Sequence, residues 1–193
     1  MRAVHGLVTL NAVVFRPLFE NGPSMHFDDP ELAKRKLRAL VVDDNEHMRA
    51  LLRRLLQRMG IENSEYADGS AALEVVESEM PDLILTDLTM QFMDGISFVR
   101  TLRRSPNEKV QITPVIMVTG HADRHRVVGA RDVGVNEMMV KPVTERGLLT
   151  RVQEVILRPR PFIFGPTYFG PCRRRRVDRN FRGPERRQTV MAI

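Results

Sequence analysis

The chain has 193 residues, 42% of them hydrophobic and 28% charged, which suits one packed domain with extensions and argues against two full domains or a membrane-spanning segment. The residues after Leu157 hold ten arginines against two acids, a net charge of +8 in a chain whose total is +6, so the first 157 residues carry −2. Because the basic character lies in the tail, the positive charge of the whole chain is no evidence that the folded part binds nucleic acid.

Residues 1–36 are interpreted as an N-terminal extension without regular structure over much of its length. Gly, Pro and Asn residues interrupt this stretch, and no apolar period is sustained in it. Met25 is an alternative translation start, because a short capped turn follows it before the first predicted strand.

Residues 37–157 alternate short apolar runs with amphipathic segments, a pattern typical of a parallel sheet with crossover helices. The strands are predicted at 37–42, 61–66, 83–85, 114–118 and 135–140. The helices are predicted at 48–59, 70–80, from residue 94 or 95 onward, 122–132 and 144–157. The predicted fold is therefore α/β, with a five-stranded parallel, doubly wound sheet flanked by five helices.

The ends of several predicted helices carry recognisable signals. Gly60 follows the clearest helical period in the chain, and Pro81 stops the next helix. Thr144 is a candidate N-cap for the last helix.

Residues 158–193 form a C-terminal tail rich in Pro, aromatic residues and Arg. This composition indicates that regular structure ends or changes after Leu157, and we interpret the tail as an irregular basic extension. Its aromatic residues leave open a docking segment for a partner protein. Its arginines leave open a contact with nucleic acid through the tail alone.

Polar side chains stand at the carboxyl ends of four predicted strands, where an open parallel sheet binds its ligands. Asp43 and Asp44 follow the first strand, and Asp87 follows the third. Thr119 follows the fourth strand, and Lys141 follows the fifth. We expect these five side chains to meet at one edge of the sheet.

This set of side chains suits phosphoryl chemistry on a carboxylate. Three converging carboxylates repel one another by several kcal/mol per pair at an effective dielectric near 20, so a compensating cation is expected. Oxygen ligands and no His or Cys favour Mg²⁺. A carboxylate can hold a phosphoryl group as an acyl phosphate, and the Lys141 ammonium and Thr119 hydroxyl can stabilise the phosphoryl oxygens.

Four motifs in order resemble those of response regulator receiver domains over about residues 37–157. They are Val-Val-Asp43-Asp44, Asp87-Leu-Thr-Met-Gln-Phe-Met-Asp94-Gly95, Val118-Thr119-Gly120 and Val140-Lys141-Pro142. The resemblance implies a flavodoxin-like fold and a signalling protein that is not a metabolic enzyme. It further implies phosphorylation by a histidine kinase or a phosphotransfer protein, and leaves open a dimer that forms on phosphorylation.

The resemblance also implies a role for each site residue. Asp87 would be the phosphoacceptor, with Asp44 binding Mg²⁺ directly and Asp43 mainly through water. The backbone carbonyl of Thr89 would complete the protein ligands, and Thr119 and Lys141 would contact the phosphoryl oxygens.

Position 138 departs from the family pattern. Met138 stands three residues before Lys141, where an aromatic residue normally acts with Thr119 as the switch. A methionine can repack without a ring rotation, so we expect coupling to the face built by the fifth strand and the predicted helices 122–132 and 144–157 to take a different form.

Two further expectations concern chemistry and compartment. A haloacid-dehalogenase-type phosphatase also combines Asp, Thr and Lys with Mg²⁺, but its Asp-x-Asp motif comes early in the chain, whereas here Asp87 follows the acidic pair.

Cys172 is the single cysteine, so no internal disulfide can form. We therefore expect a soluble cytoplasmic protein without membrane insertion.

Overall fold

The computed structural model describes residues 36–120, 123–165, 168–174 and 188–191. The strands are β1 (Arg38–Val42), β2 (Glu62–Tyr66), β3 (Leu83–Asp87), β4 (Val115–Thr119), β5 (Glu137–Val140), β6 (Phe162–Gly165), β7 (Tyr168–Pro171) and β8 (Gln188–Met191). The helices are α1 (Glu46–Arg58), α2 (Gly69–Glu79), α3 (Gly95–Leu102), α4 (Glu108–Ile112), α5 (Arg124–Asp132) and α6 (Glu145–Ile156). The predictions for residues 1–35 and for the arginine-rich stretch 175–187 lie outside the described residues.

The first five strands form one parallel sheet in the order β2-β1-β3-β4-β5. The chain runs outward from β1 to β2 and then crosses back over β1 to β3, so the strand order reverses between β1 and β3. Such a reversal opens a crevice at the carboxyl ends of the two strands. The predicted five-stranded, doubly wound parallel sheet is confirmed.

Helices cover both faces of this sheet and enclose two apolar cores. Strands β3 and β4 are buried along their whole length, which explains their apolar runs at 83–85 and 115–118. On one face, α1 and α6 contribute Leu52, Leu56, Leu148 and Val152. On the other face, α2, α3 and α5 contribute Ala72, Phe98, Leu102 and Ala130. No helix in the described part of the chain is long and apolar enough to cross a membrane.

The predicted helix ends agree with the structure. Gly60 follows α1 with a φ of +77°, in the left-handed region that glycine adopts readily. The Thr144 side chain accepts a hydrogen bond from the Gly147 backbone N–H at 3.2 Å, as an N-cap should.

The described residues hold six helices where five were predicted, and β3 extends to Asp87, beyond its predicted end at residue 85. The five-residue helix α4 was not predicted, because a single turn is too short to show a helical period. Strand β5 begins at Glu137 instead of residue 135. Asn136 uses its side chain to accept hydrogen bonds from the Val115 N–H at 3.0 Å and from the Arg103 guanidinium at 3.1 Å, so it bridges neighbouring elements before the strand starts.

The C-terminal segment differs from the irregular extension that the sequence predicts. Strands β6 and β7 form an antiparallel hairpin, and β8 pairs with the other edge of β6. Phe162 is fully buried, and the Arg103 guanidinium carbon lies 5.0 Å from the centre of its ring. Phe162 contacts Arg103, which is distant from it in the sequence. The local pattern around Phe162 therefore gives no sign of the contact.

Arg103 connects the hairpin to the domain. Its guanidinium is buried and donates hydrogen bonds to the carbonyls of Gln111 at 2.6 Å, Thr113 at 2.8 Å and Gly134 at 3.0 and 3.1 Å. Burial lowers the pKa of Arg103 to about 9, so the side chain is still a cation at neutral pH. These carbonyls and the Phe162 ring together compensate its lost hydration.

Candidate functional site

Three carboxylates meet at the carboxyl ends of β1 and β3. Asp43 and Asp44 follow β1, and Asp87 is the last residue of β3. The parallel register pairs Val42 with Thr86, which places Asp43 beside Asp87 on the neighbouring strand. One ligand oxygen from each of the three acids lies within 4.8 Å of the others, with Asp43 and Asp87 buried and Asp44 exposed.

Lys141 reaches into this acidic cluster from the end of β5. Its Nζ lies 3.2 Å from Asp43 Oδ2 and 3.3 Å from Asp87 Oδ1. An ammonium shared by two buried carboxylates offsets part of the repulsion between them. The structure therefore brings Lys141 and all three predicted acids together.

Thr119 and Thr89 lie close to this cluster in the fold. Thr119 ends β4 and is 1% exposed, and its carbonyl accepts a hydrogen bond from the Lys141 N–H at 2.8 Å. In the register, Asp87 pairs with Val118, the residue before Thr119. Thr89 is exposed two residues after Asp87, and its hydroxyl accepts a hydrogen bond from the Arg126 guanidinium at 3.4 Å.

Burial raises the pKa of the Asp87 carboxyl group above its ordinary value. The nearby charge of Lys141 opposes this rise, and the charge of Asp43 adds to it. Asp87 is thus a buried acid whose ionised form depends on a neighbouring cation.

Two further residues, Arg49 and Gly95, shape the backbone around the acids. Arg49, in the first turns of α1, donates hydrogen bonds to the carbonyls of Asp43 at 2.8 Å and Asp44 at 3.2 Å. Gly95 lies so close to the Asp87 carbonyl oxygen that a Cβ added there would be 2.1 Å from it. The Asp-Gly pair at 94–95 signalled a helix start, whereas no sequence signal marked Arg49.

The acidic cluster fits a divalent cation with oxygen ligands. Its donors are carboxylate oxygens held within one small volume, and one acid, Asp44, is open to solvent. Mg²⁺ prefers one or two carboxylates together with retained waters. The donor set therefore agrees with the predicted magnesium site.

Met138 lies in β5, on the side of the sheet opposite α1 and α6. It is half-buried against the core that contains Phe98 and Leu102, and its Cα partner in β4 is Met117. Its carbonyl accepts a hydrogen bond from the Arg151 side chain of α6 at 3.2 Å. Met138 thus lies on a strand that contacts α6 and leads directly to Lys141.

Comparisons with known proteins identify the same domain. The model of the response regulator receiver domain matches residues 39–153, more than half of the chain. The chemotaxis protein CheY of Pseudomonas aeruginosa is 35% identical over 123 residues, which cover 63% of this chain and 98% of that protein. Chemotaxis protein CheY-3 of Vibrio cholerae is 31% identical over 128 residues, which cover 66% of this chain and 97% of that protein.

Solved structures give the same result. Chemotaxis protein CheY4 of Vibrio cholerae superposes with a TM-score of 0.60 at 30% identity, covering 63% of this chain and 99% of that one. A response regulator from Chloroflexus aurantiacus reaches a TM-score of 0.60 at 26% identity, covering 64% and 99% of the two chains.

The matched region 39–153 contains all three acids, Thr119 and Lys141. Receivers of this kind are signalling proteins and not metabolic enzymes, so the phosphatase alternative is rejected. Fold, acidic cluster and sequence similarity agree that this chain belongs to the response regulator receiver family.

Proposed function

We propose that the chain is a phosphorylation-switched response regulator that accepts a phosphoryl group on Asp87 and signals through protein contacts. Its phosphodonor is a histidine kinase or a phosphotransfer protein. The observation that carries this proposal is a buried Asp87 carboxylate with the Lys141 ammonium 3.3 Å away. A cytoplasmic location, expected from the single cysteine, is part of the proposal.

The chemistry assigns each side chain a role in the transfer. An oxygen of Asp87 attacks phosphorus while the bond from phosphorus to the donor breaks. Lys141 already contacts Asp87 Oδ1, so its ammonium would neutralise charge on the phosphoryl oxygens. Thr119, at the end of the adjacent strand, would donate its hydroxyl to the same oxygens.

The acids would also hold Mg²⁺. Asp44 and Asp87 would be direct ligands, Asp43 would act mainly through water, and the Thr89 carbonyl would complete the protein ligands. When bound, Mg²⁺ supplies positive charge that offsets the acids and the incoming phosphoryl group.

Thr119 and Met138 are the proposed switch residues. Phosphorylation replaces the single negative charge of the Asp87 carboxylate with a phosphoryl group of about −1.5 to −2 charges, which would draw the Thr119 hydroxyl toward the new oxygens. Movement of Thr119 changes the space beside β5, and the flexible Met138 side chain can repack to fill it. The change would reach the surface built by α5, β5 and α6.

Labelling with radioactive acetyl phosphate and Mg²⁺ tests the phosphoacceptor. We expect the wild type to be labelled and Asp87→Asn to retain less than about a tenth of the label, because the attacking oxygen is lost. Asp82→Asn is the matched control, since Asp82 lies just before the opposite end of β3. Equal labelling of wild type and Asp87→Asn would contradict the assignment.

A further inference from the structure

A cationic side chain other than Lys141 lies at the carboxyl edge of the sheet, and the transfer described above does not use it. Arg126 belongs to the first turn of α5, the helix that follows β4 in the chain. Its Nη1 donates a hydrogen bond to the Thr89 hydroxyl at 3.4 Å. Because Thr89 is only two residues after Asp87, this contact joins α5 to the loop that leaves the phosphoacceptor strand.

The fold turns Thr89 toward the solvent side of that loop. The Leu88 N–H donates a hydrogen bond to the Val118 carbonyl at 3.2 Å, so the loop begins alongside β4. Leu88 and Met90 are buried in an apolar core, whereas Thr89 between them is exposed. The contact between Thr89 and Arg126 therefore lies on the outer side of the carboxyl edge, where a parallel sheet binds its ligands.

Arg126 is held in this position from within its own helical turn. Asp123 is the N-cap of α5, and its side chain accepts a hydrogen bond from the Arg126 backbone N–H at 2.9 Å. The other carboxylate oxygen of Asp123 lies 3.2 Å from the Arg126 Nε. The guanidinium has more N–H donors than its contacts with Asp123 and Thr89 use, and the side chain is 41% exposed. A guanidinium oriented in this way loses little conformational entropy when it binds an oxyanion.

The charge balance of a phosphorylated site favours a further cation. The phosphoryl group on Asp87 carries about −1.5 to −2 charges, and Asp43 and Asp44 add one negative charge each. Lys141 and a bound Mg²⁺ together offset three of these charges, which leaves about −0.5 to −1. A guanidinium at the rim can reduce this excess, because its planar N–H groups match the oxygens of a phosphoryl group.

We propose that Arg126 binds the phosphoryl group on Asp87 and thereby adds a third side chain to the two that the family resemblance implies for its oxygens. On phosphorylation, the Arg126 Nη1 exchanges the neutral Thr89 hydroxyl for a phosphoryl oxygen, while Asp123 keeps Nε in place. The exchange is favourable because a charge-assisted hydrogen bond replaces a long neutral one. This inference rests on the proposed function, since it requires a phosphoryl group on Asp87.

Binding of beryllofluoride in the presence of Mg²⁺ tests the proposal on the full chain, because beryllofluoride mimics a phosphoryl group on a carboxylate. Fluorine NMR measures the bound fraction at increasing beryllofluoride concentration. Arg126→Gln removes the guanidinium, and Arg126→Lys keeps the charge without the planar group. Arg124→Gln is the control, since it removes the same charge from an exposed position in the same turn. Residues two apart on a helix do not share a face.

We expect the wild type and Arg124→Gln to bind beryllofluoride with similar affinity, and Arg126→Gln to bind it about tenfold more weakly. Arg126→Lys should lie between them. Thr89→Val removes only the partner that Arg126 gives up, so it should bind at least as tightly as the wild type. Equal affinity of the wild type and Arg126→Gln, or an equal loss in Arg126→Gln and Arg124→Gln, would overturn the proposal. A loss in Thr89→Val as large as that in Arg126→Gln would also overturn it, because Arg126 would then act only by supporting the loop.

Asp87→Asn separates this inference from the proposed function. We expect this variant to lose beryllofluoride binding, because the carboxylate oxygen that holds the mimic is gone. Binding by the wild type that is lost in Asp87→Asn but unchanged in Arg126→Gln would overturn only the role of Arg126. Binding by Asp87→Asn as tight as that of the wild type would contradict the phosphoacceptor assignment and the role of Arg126 together.

Discussion

Burial of Asp87 links its ionisation to the stability of the fold. Burial raises the pKa of its carboxyl group, Asp43 adds to the rise and Lys141 opposes it. The pKa of Asp87 is therefore higher in the folded protein than in the unfolded chain. At a pH between these two pKa values, the folded protein binds more protons than the unfolded chain does. This contribution to the free energy of unfolding is complete below the unfolded pKa and is lost as pH rises through the folded pKa.

Asp87→Asn should therefore raise the free energy of unfolding at neutral pH in a buffer with a metal chelator. This increase in the free energy of unfolding over the wild type should shrink as the pH falls from the folded-state pKa of Asp87 to its unfolded-state pKa, because protonated Asp87 and Asn both lack charge. Urea denaturation at several pH values measures the difference. Glu74→Gln, at an exposed position of α2, is the control and should change little. A gain for Asp87→Asn that is constant with pH would contradict this account.

Residues that follow a strand were predictable from the sequence, and residues that support them were not. Lys141 directly follows an apolar run and Asp87 follows another after Thr86, and parallel strands bring such positions to one edge. Arg49 and Arg103 belong to amphipathic segments, where an arginine normally marks a solvated face. Their hydrogen bonds to carbonyls outside their own helices depend on how the chain folds around them, which no apolar period encodes.

Among the elements, the hairpin of β6 and β7 was the least predictable. Each of its strands has four residues, too few for an alternating pattern to stand out among Pro and Gly. Within β6, Phe162 is 0% exposed, whereas Phe164 is 53% exposed. This contrast offers a matched pair of variants within one element.

Phe162→Ala should undock the hairpin, and Phe164→Ala should not. Truncating a fully buried Phe costs about 3 kcal/mol or more, so the undocked population should rise at least about a hundredfold. Cys172, the single cysteine, is buried and outside any disulfide, and its N–H donates to the Pro161 carbonyl at 2.8 Å. The rate of thiol labelling at Cys172 therefore reports docking. Equal labelling rates in the two variants would show that Phe162 does not hold the hairpin.

On the scale of the whole molecule, the C-terminal segment and the phosphoacceptor site lie at opposite ends of the same strand. Arg160 contacts Asn136 and Glu137 at the start of β5, and Lys141 follows its end. All five strands of the parallel sheet and the acidic cluster nevertheless lie before residue 158. The segment should therefore stabilise the domain without being needed for phosphoryl transfer.

Deletion of residues 158–193 tests this division of roles. The shortened chain exposes buried Arg103 and loses the burial of Phe162, a contribution of about 2–3 kcal/mol. We expect Tm to fall by roughly 5–10 °C, while acetyl phosphate still labels Asp87. A chain that ends at residue 174 keeps the hairpin and should retain most of the stability, as thermal unfolding followed by circular dichroism would show. If both shortened chains had the same Tm as the full chain, the hairpin would contribute nothing to the stability of the fold. The hydrogen bonds from Arg103 to the domain carbonyls would then suffice to stabilise that buried cation.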